Sequence, residues 1–411
     1  MSPAAGLVAR TRLLDPSEVP DLLAVAGRDG MLFSRAGTGF AGRGVAARLA
    51  RRTVGDALAA IARDDLVGLP GTGPVAFGAL PFLPGADTDL LVPELTVGVD
   101  PSGRAWVTSV GPQGSVPDPH AQLAAVLATS GRPSPVDGPS SFTVAAARPP
   151  AEWVDAVATA TARIRAGELD KVVLAREVTV TADAPISVPT VLLRLSQHYP
   201  GCFLYLVDGY CGAPPELLVS RSGDVVRAHP FAGTKPRRGD PDADAVLAAE
   251  LLASPTYRHE HQVTIDVVHD TLLAFSSYVD YEPEPSVVPL ANVVHLATLV
   301  EGRLSHPPAS ILELVDALHP TPAVCGRPRE AALAVIAELE GLDRGRYAGA
   351  VGWLDADGNG EGAVAIRGAE IDGRTARVIA GNGAVGDSDP PTELIETRAK
   401  LQAMLSAIVR P

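Results

Sequence analysis

Near its middle the chain places two carboxylates in unusual settings. Glu216 stands in Gly212-Ala213-Pro214-Pro215-Glu216-Leu217-Leu218, where its neighbours suit a desolvated carboxyl group, and Glu260 stands in Arg258-His259-Glu260-His261. A third set, Glu393 and Glu396, lies close to the end. Burial favours the protonated form of a carboxyl group, while a hard divalent cation prefers ionised carboxylate oxygens and a few retained waters. The pattern outlines an acid and a metal site. His259 and His261 bring zinc to mind, but residues two apart do not share a helix face and no cysteine accompanies them, so zinc is disfavoured.

The elements that must position these residues read as follows. Trp153, Val154, Val157, Ala160 and Ile164 recur at helical spacing between Ala151 and Gly167, directly before the β-branched run Lys171 to Val180, so a helix feeds a strand. Phe203 to Val207 and Leu217 to Ser220 continue the mixture, and Asp240 to Phe275 reads as helix interrupted near Ser254-Pro255. Pro328 to Leu339 predicts another helix. Gly349 to Leu354 and Ala363 to Ile366, joined by Asp355-Ala356-Asp357-Gly358-Asn359-Gly360, predict a hairpin. Asp389-Pro390 supplies a capping side chain and a preset first-turn dihedral for a last helix running to about Ile408, which puts Glu393, Glu396 and Lys400 on one face. The first 130 or so residues alternate short apolar runs with Gly/Pro turns, a sheet-rich pattern. The segment from Gly131 to Ser141 is dense in turn residues and marks a boundary between a sheet-rich lobe, 1–135, and one integrated catalytic region, 145–408. Strands and helices without strict βαβ alternation predict an α+β fold.

Composition narrows the function. The chain is 46% hydrophobic but only 4% aromatic, so aliphatic packing is expected to dominate the interior. Its net charge of −14 disfavours nucleic acid and anionic membranes as partners, and obliges an anionic substrate to meet a locally positive pocket. No apolar run approaches the roughly 20 residues of a membrane helix. Met1-Ser2-Pro3-Ala4-Ala5-Gly6 lacks a secretory pattern, so a cytoplasmic location is the expectation. Cys202, Cys211 and Cys325 show no metal or redox spacing and are read as reduced and mostly buried.

Further motifs make the outline specific: Lys171-Val172-Val173-Leu174-Ala175-Arg176, Pro230-Phe231-Ala232-Gly233-Thr234, His319-Pro320-Thr321-Pro322-Ala323, Ile366-Arg367 and Gly381-Asn382-Gly383. From about Lys171 to Leu405 the chain resembles the isochorismate synthases of the chorismate-utilising enzymes, with the motifs in the family's order. The resemblance implies the anthranilate synthase component I-like fold, large antiparallel sheets wrapped by helices. It implies chorismate as substrate, Mg2+ as cofactor, and a reaction that adds water at carbon 2 while the carbon 4 hydroxyl leaves. On this reading Lys171 is the base and Glu216 the acid; Glu260, Glu393 and Glu396 hold the metal. Arg367 grips the pyruvyl side with its planar fork, the Gly381-Asn382-Gly383 turn lets backbone approach a carboxylate, and Lys400, Thr234, Ala323 and His295 line the pocket. His261 is expected to support Glu260.

Related reactions are separable. Ammonia-using relatives typically carry glutamine where this chain has Lys171, so water is the expected nucleophile and no glutaminase subunit is expected. Ala232 stands where some relatives have a nucleophilic lysine, which disfavours covalent chemistry. Salicylate synthases, which go on to eliminate pyruvate, are the nearest enzymatic alternative, and a catalytically silent chorismate-binding homologue is the other. A monomer is the expectation from the resembled group.

Overall fold

Alternation of apolar β-branched residues builds two large sheets. The computed structural model describes residues 4–130, 138–237 and 239–409. Among the described residues one sheet has thirteen strands, a second nine and a third three. Their pairing is antiparallel, except where Leu7–Leu14 runs parallel to Ala62–Asp65. The thirteen-stranded sheet runs from Phe142–Ala146 through Lys171–Ala182 and Thr375–Ala384 to Met31–Arg35 and on to Leu7–Leu14. The nine-stranded sheet joins Leu217–Ser222, Gly360–Val364 and Ala350–Asp355 to Val75–Leu80.

Both large sheets therefore draw strands from 1–135 and from 145–408, and backbone hydrogen bonds cross between the two stretches. Of the turn-rich segment between them, residues 131–137 lie outside those described. The expected hairpin forms as Ala350–Asp355 with Gly360–Val364. The helices form as Pro150–Arg165, Pro241–Ala253, Pro255–Leu273, Arg329–Leu339 and Pro390–Val409. The break at Ser254-Pro255 is sharp because Ser254 ends one helix and its side chain caps the next.

Packing departs from the aliphatic expectation in one place. The two cores under the helices are mainly Val, Leu, Ile and Ala, with Phe82, Trp153 and Tyr347 among them, but Phe33, Phe40, Phe77, Trp106, Phe203, Tyr205 and Tyr210 gather with Leu217 and Val351 in a third core. The few aromatic side chains concentrate where strands of the two large sheets meet, since a wide gap between sheets is filled best by the largest side chains. All three cysteines are free and buried. Among the described residues no helix is long and apolar enough to cross a membrane.

Candidate active site

Lys171 opens the strand Lys171–Ala182 and is 8% exposed. The neighbouring strand Thr375–Ala384 sets Gly383 opposite Val173, Asn382 opposite Leu174 and Gly381 opposite Ala175. The lysine side chain passes over Gly383, where an added Cβ would stand 2.7 Å from Lys171 Cε. This corrects the expected turn: Gly381-Asn382-Gly383 is extended strand, and glycine is needed there for close approach rather than for unusual dihedrals. Lys171 Nζ donates to Glu260 Oε1 at 2.5 Å. Glu260 comes from the first turns of Pro255–Leu273. Desolvation alone would raise its pKa, but the charge and hydrogen bond of Lys171, helped by Lys400, outweigh burial and hold it below the ordinary value.

The last helix delivers the other acidic pair. Asp389 accepts from the Thr392 N–H at 3.2 Å and so caps it. Glu393, Glu396 and Lys400 then face the strand below and converge on Asn382. The Asn382 amide donates to Glu393 Oε2, and to Glu396 Oε2 at 2.9 Å. Lys400 Nζ donates to Asn382 Oδ1 and to the Gly381 carbonyl at 3.2 Å, and stands 4.0 Å from Glu396 Oε2. Burial pushes Glu393 up to about 7, raises Glu396 against the pull of Lys400, and pushes Lys400 down to about 8. Lys171, Glu260, Glu393, Glu396 and Lys400 line one cavity of about 300 Å³, with Thr234, Ala323 and Gly383.

A smaller cavity of about 70 Å³ shares Thr234, Ala323 and Lys400 with the first, and holds Glu216, His295, Arg367 and Gly381. Glu216 is 3% exposed, just ahead of the strand Leu217–Ser222. Its carbonyl accepts from Val364 N–H at 3.1 Å, which anchors it beside the turn carrying Arg367. Its carboxyl receives one long contact, 3.5 Å from Phe231 N–H. Desolvation dominates, offset in part by that N–H and by the charges of Lys171 and Arg367, and pushes the pKa up to about 8. Its protonated form is thus favoured at neutral pH.

Arg367 lies where the chain leaves Gly360–Val364 in one large sheet for Gly368–Asp372 in the other. Its φ of +52° is left-handed, a strained state for a long side chain. Among the described residues its guanidinium has no hydrogen-bond or ion-pair partner, so the fork is free for an anionic ligand. Thr234 follows a bulge at Gly233, whose φ is +77°, and its Oγ1 lies 2.9 Å from His295 Nδ1 on the next strand. Burial, then the charges of Arg367 and Lys400, hold His295 well below its ordinary pKa, so the ring is neutral. Its Nε2 has no partner among the described residues.

The twelve residues singled out from the sequence thus line two adjoining cavities. Two lining residues carry no signal in the sequence, Tyr347 in the Glu216 cavity and Tyr257 at the larger one, and Asn382, named only as part of a turn, bridges Glu393, Glu396 and Lys400. His261 makes no hydrogen bond to Glu260 among the described residues: its Nε2 lies 2.8 Å from Thr298 Oγ1, and burial pushes its pKa down to about 4. His259 is exposed. A larger cleft of about 740 Å³, between residues 51–56, 84–87 and the helix Ile311–Leu318, contains none of the twelve.

Among the described residues no three His, Cys, Asp or Glu side chains are gathered around one point as a finished metal site. The donor chemistry of the 300 Å³ cavity nevertheless fits a hard cation. Three glutamates line it, an all-oxygen donor set of the kind such a cation prefers. Burial raises the pKa of Glu393 and Glu396 against the pull of Lys400, which stands 4.0 Å from Glu396 Oε2, while Lys171 and Asn382 hydrogen-bond Glu260 and Glu396.

Residues 49–409 match the family model described as chorismate binding enzyme. A Mycobacterium tuberculosis protein called MenF is 40% identical over 353 residues, 82% of this chain and 87% of its own. Isochorismate synthase DhbC of Bacillus subtilis is 41% identical over 270 residues, 63% of this chain and 68% of its own. The structure of MenF, the menaquinone-specific isochorismate synthase from Escherichia coli, superposes with a TM-score of 0.82 at 25% identity, covering 98% of this chain and 95% of that one. With the family model matched over residues 49–409 and the fold in agreement, the chain belongs to the chorismate-binding enzymes.

Proposed function

We propose that the protein is a magnesium-dependent isochorismate synthase. The observation that carries this reading is a buried carboxyl group, Glu216, whose pKa desolvation raises, in a cavity adjoining the one that holds Lys171. Chorismate carries two carboxylates and a hydroxyl on a cyclohexadiene ring. Arg367 and the neighbouring polar groups receive the pyruvyl carboxylate by paired hydrogen bonds. Lys171 Nζ accepts a proton from water as its oxygen bonds to carbon 2, and the ring double bond shifts. Glu216 gives its proton to the carbon 4 hydroxyl, which leaves as water, so the product is an isomer of the substrate and no redox partner is required. Before Lys171 can take a proton, its hold on Glu260 must loosen, because the Nζ is committed to that carboxylate. Glu260 and Glu396, with Glu393 beside them, would hold Mg2+, which when bound supplies positive charge for the ring carboxylate of the substrate. His295 and Thr234 fix each other and present a neutral ring to the cavity.

Incubating the protein with chorismate and Mg2+, without ammonia or glutamine, tests the reading by product identification. Isochorismate as the product, lost on chelation with EDTA and restored by Mg2+, is the expected outcome. Salicylate with pyruvate would move the assignment to the lyase-coupled reaction, and unchanged chorismate would overturn it.

A further inference from the structure

The strand that begins with Lys171 has an incomplete neighbour on one side. Toward Thr375–Ala384 its ladder runs unbroken from Val172 to Thr181. On the other side, Lys171 and Val172 pair with Arg327 and Gly326, and Val173 N–H donates to the Cys325 carbonyl at 2.8 Å. Pairing resumes only at Glu177 and Val178, with Ala147 and Ala146. Between these two stretches lie the Val173 carbonyl and the Ala175 N–H, buried polar groups that no strand reaches.

An ion pair fills the gap. Glu340 and Arg344 are 2% and 3% exposed and sit just past the end of the helix Arg329–Leu339. Arg344 Nε and Nη2 donate to the two carboxylate oxygens of Glu340 at 2.7 and 2.6 Å, a two-pronged contact. Glu340 Oε2 also accepts from Ala175 N–H at 2.7 Å, and Arg344 Nη2 donates to the Val173 carbonyl at 2.7 Å. Arg344 Nη1 reaches across to the Val324 carbonyl at 2.8 Å. Phe82 stacks on the guanidinium, 4.1 Å from its ring centroid, and holds the plane. Val173 and Val324 both line the small cavity with Glu216, and Val324 follows Ala323.

We propose that Glu340 and Arg344 are positioning residues: one guanidinium bridges two walls of the Glu216 cavity and, with its glutamate, stands in for the missing strand beside Val173 to Ala175, just past Lys171. Neither touches the substrate cavity's contents; both act through the backbone of Val173, Ala175 and Val324. The pair is costly to bury unless every donor and acceptor is met, and four of the five guanidinium N–H groups are met here by protein oxygens. A lysine at 344 would keep the charge opposite Glu340 but could not span both carbonyls.

This inference rests on the proposed turnover of chorismate, so its test has an arm that does not. In R344K and E340Q, kcat, KM and melting temperature are measured with chorismate and Mg2+, and hydrogen exchange of the backbone over residues 171–182 is followed without substrate. Expected for R344K is a loss of about 30- to 100-fold in kcat, with KM within about threefold, because misplacement of reacting groups costs rate more than binding. E340Q keeps an acceptor for Ala175 N–H and should lose about tenfold less than R344K. Exchange should rise over 171–182 and stay unchanged over 75–80. Wild-type kcat in folded R344K, or a loss that merely follows the unfolded fraction, would overturn the proposal. Should R344K fail to fold, E340Q decides by the same comparison. If the wild type itself leaves chorismate unchanged, the proposed function fails, and unaltered exchange over 171–182 would separately sink the brace.

Discussion

Glu216 and Glu260 are the same side chain in two adjoining cavities, and their surroundings push them in opposite directions. Glu216 has a single long backbone contact and no ion-pair partner, so desolvation wins and its pKa rises to about 8. Glu260 meets Lys171 at 2.5 Å, and the opposite charge outweighs desolvation to lower its pKa. One environment favours the protonated carboxyl and the other the anion. The division of labour comes from partners, not from residue type. The larger cavity sets three glutamates against Lys171 and Lys400, whereas the smaller is walled by Val173, Ile366, Tyr347 and Phe231 around one carboxyl, one guanidinium and the shared Lys400.

Three substitutions break or sharpen this contrast. The largest effect is expected from Lys171→Ala, which removes both the base and the partner of Glu260. Turnover of chorismate should fall at least ~10³-fold, while circular dichroism reports an unchanged fold. Retained turnover would remove Lys171 from the role of base. Glu260 in that variant loses the interaction that lowers its pKa, and its titration, followed by NMR of the labelled carboxyl, should move upward.

Glu216→Gln comes next, with kcat expected to fall by ~10²- to 10³-fold and substrate binding nearly kept. It also carries a pH signature of definite sign. A carboxyl group whose folded pKa lies above its unfolded value binds more protons when folded, so stability declines as pH rises from the ordinary carboxylate range to about 8 and levels beyond. Glu260 has the opposite sign: its stabilisation is present above the unfolded pKa and is lost as pH falls through the lowered folded one. Melting temperatures of the wild type and Glu216→Gln should therefore draw apart between about pH 4.5 and 8, with the variant the more stable at the upper end. Parallel curves would show that Glu216 is not held protonated. The same group places an alkaline limb near pH 8 on wild-type kcat/KM.

The smallest effect is expected from Gly383→Ala. The new Cβ would meet the flexible end of Lys171 and not backbone, so the melting temperature should change little. The displaced amine should nonetheless lower kcat by about 10- to 100-fold. A variant with full activity would mean that the path of Lys171 over the strand is not the one used in turnover.

Local signals were legible because they act over a few residues. Ser254-Pro255 breaks one helix and caps the next, Asp389-Pro390 opens the last one, and the period of the last helix puts Glu393, Glu396 and Lys400 on one face whatever lies opposite. The fold class followed from mixed periodicity, and the reaction class from the order of the motifs. Gly381-Asn382-Gly383 misled because two glycines spell a turn locally, while the demand they meet, room for a lysine arriving from the neighbouring strand, is set some two hundred residues away.

Composition could not place the aromatic side chains, since which faces of two sheets meet is a matter of packing. It could not give Glu216 and Glu260 their opposite protonation, because that depends on Lys171 standing against one carboxylate while burial strips water from the other, both set by distances through space. Nor could it reveal the Glu340–Arg344 pair, whose spacing of four reads as an ordinary surface contact until burial turns it into the neighbour of a strand. The sequence alone determined which chemical groups are present, which local elements carry them and in what order. Only the tertiary structure decided which of those groups are dry, which are paired and how far apart they stand, because desolvation and Coulomb energy depend on distance in space and not along the chain.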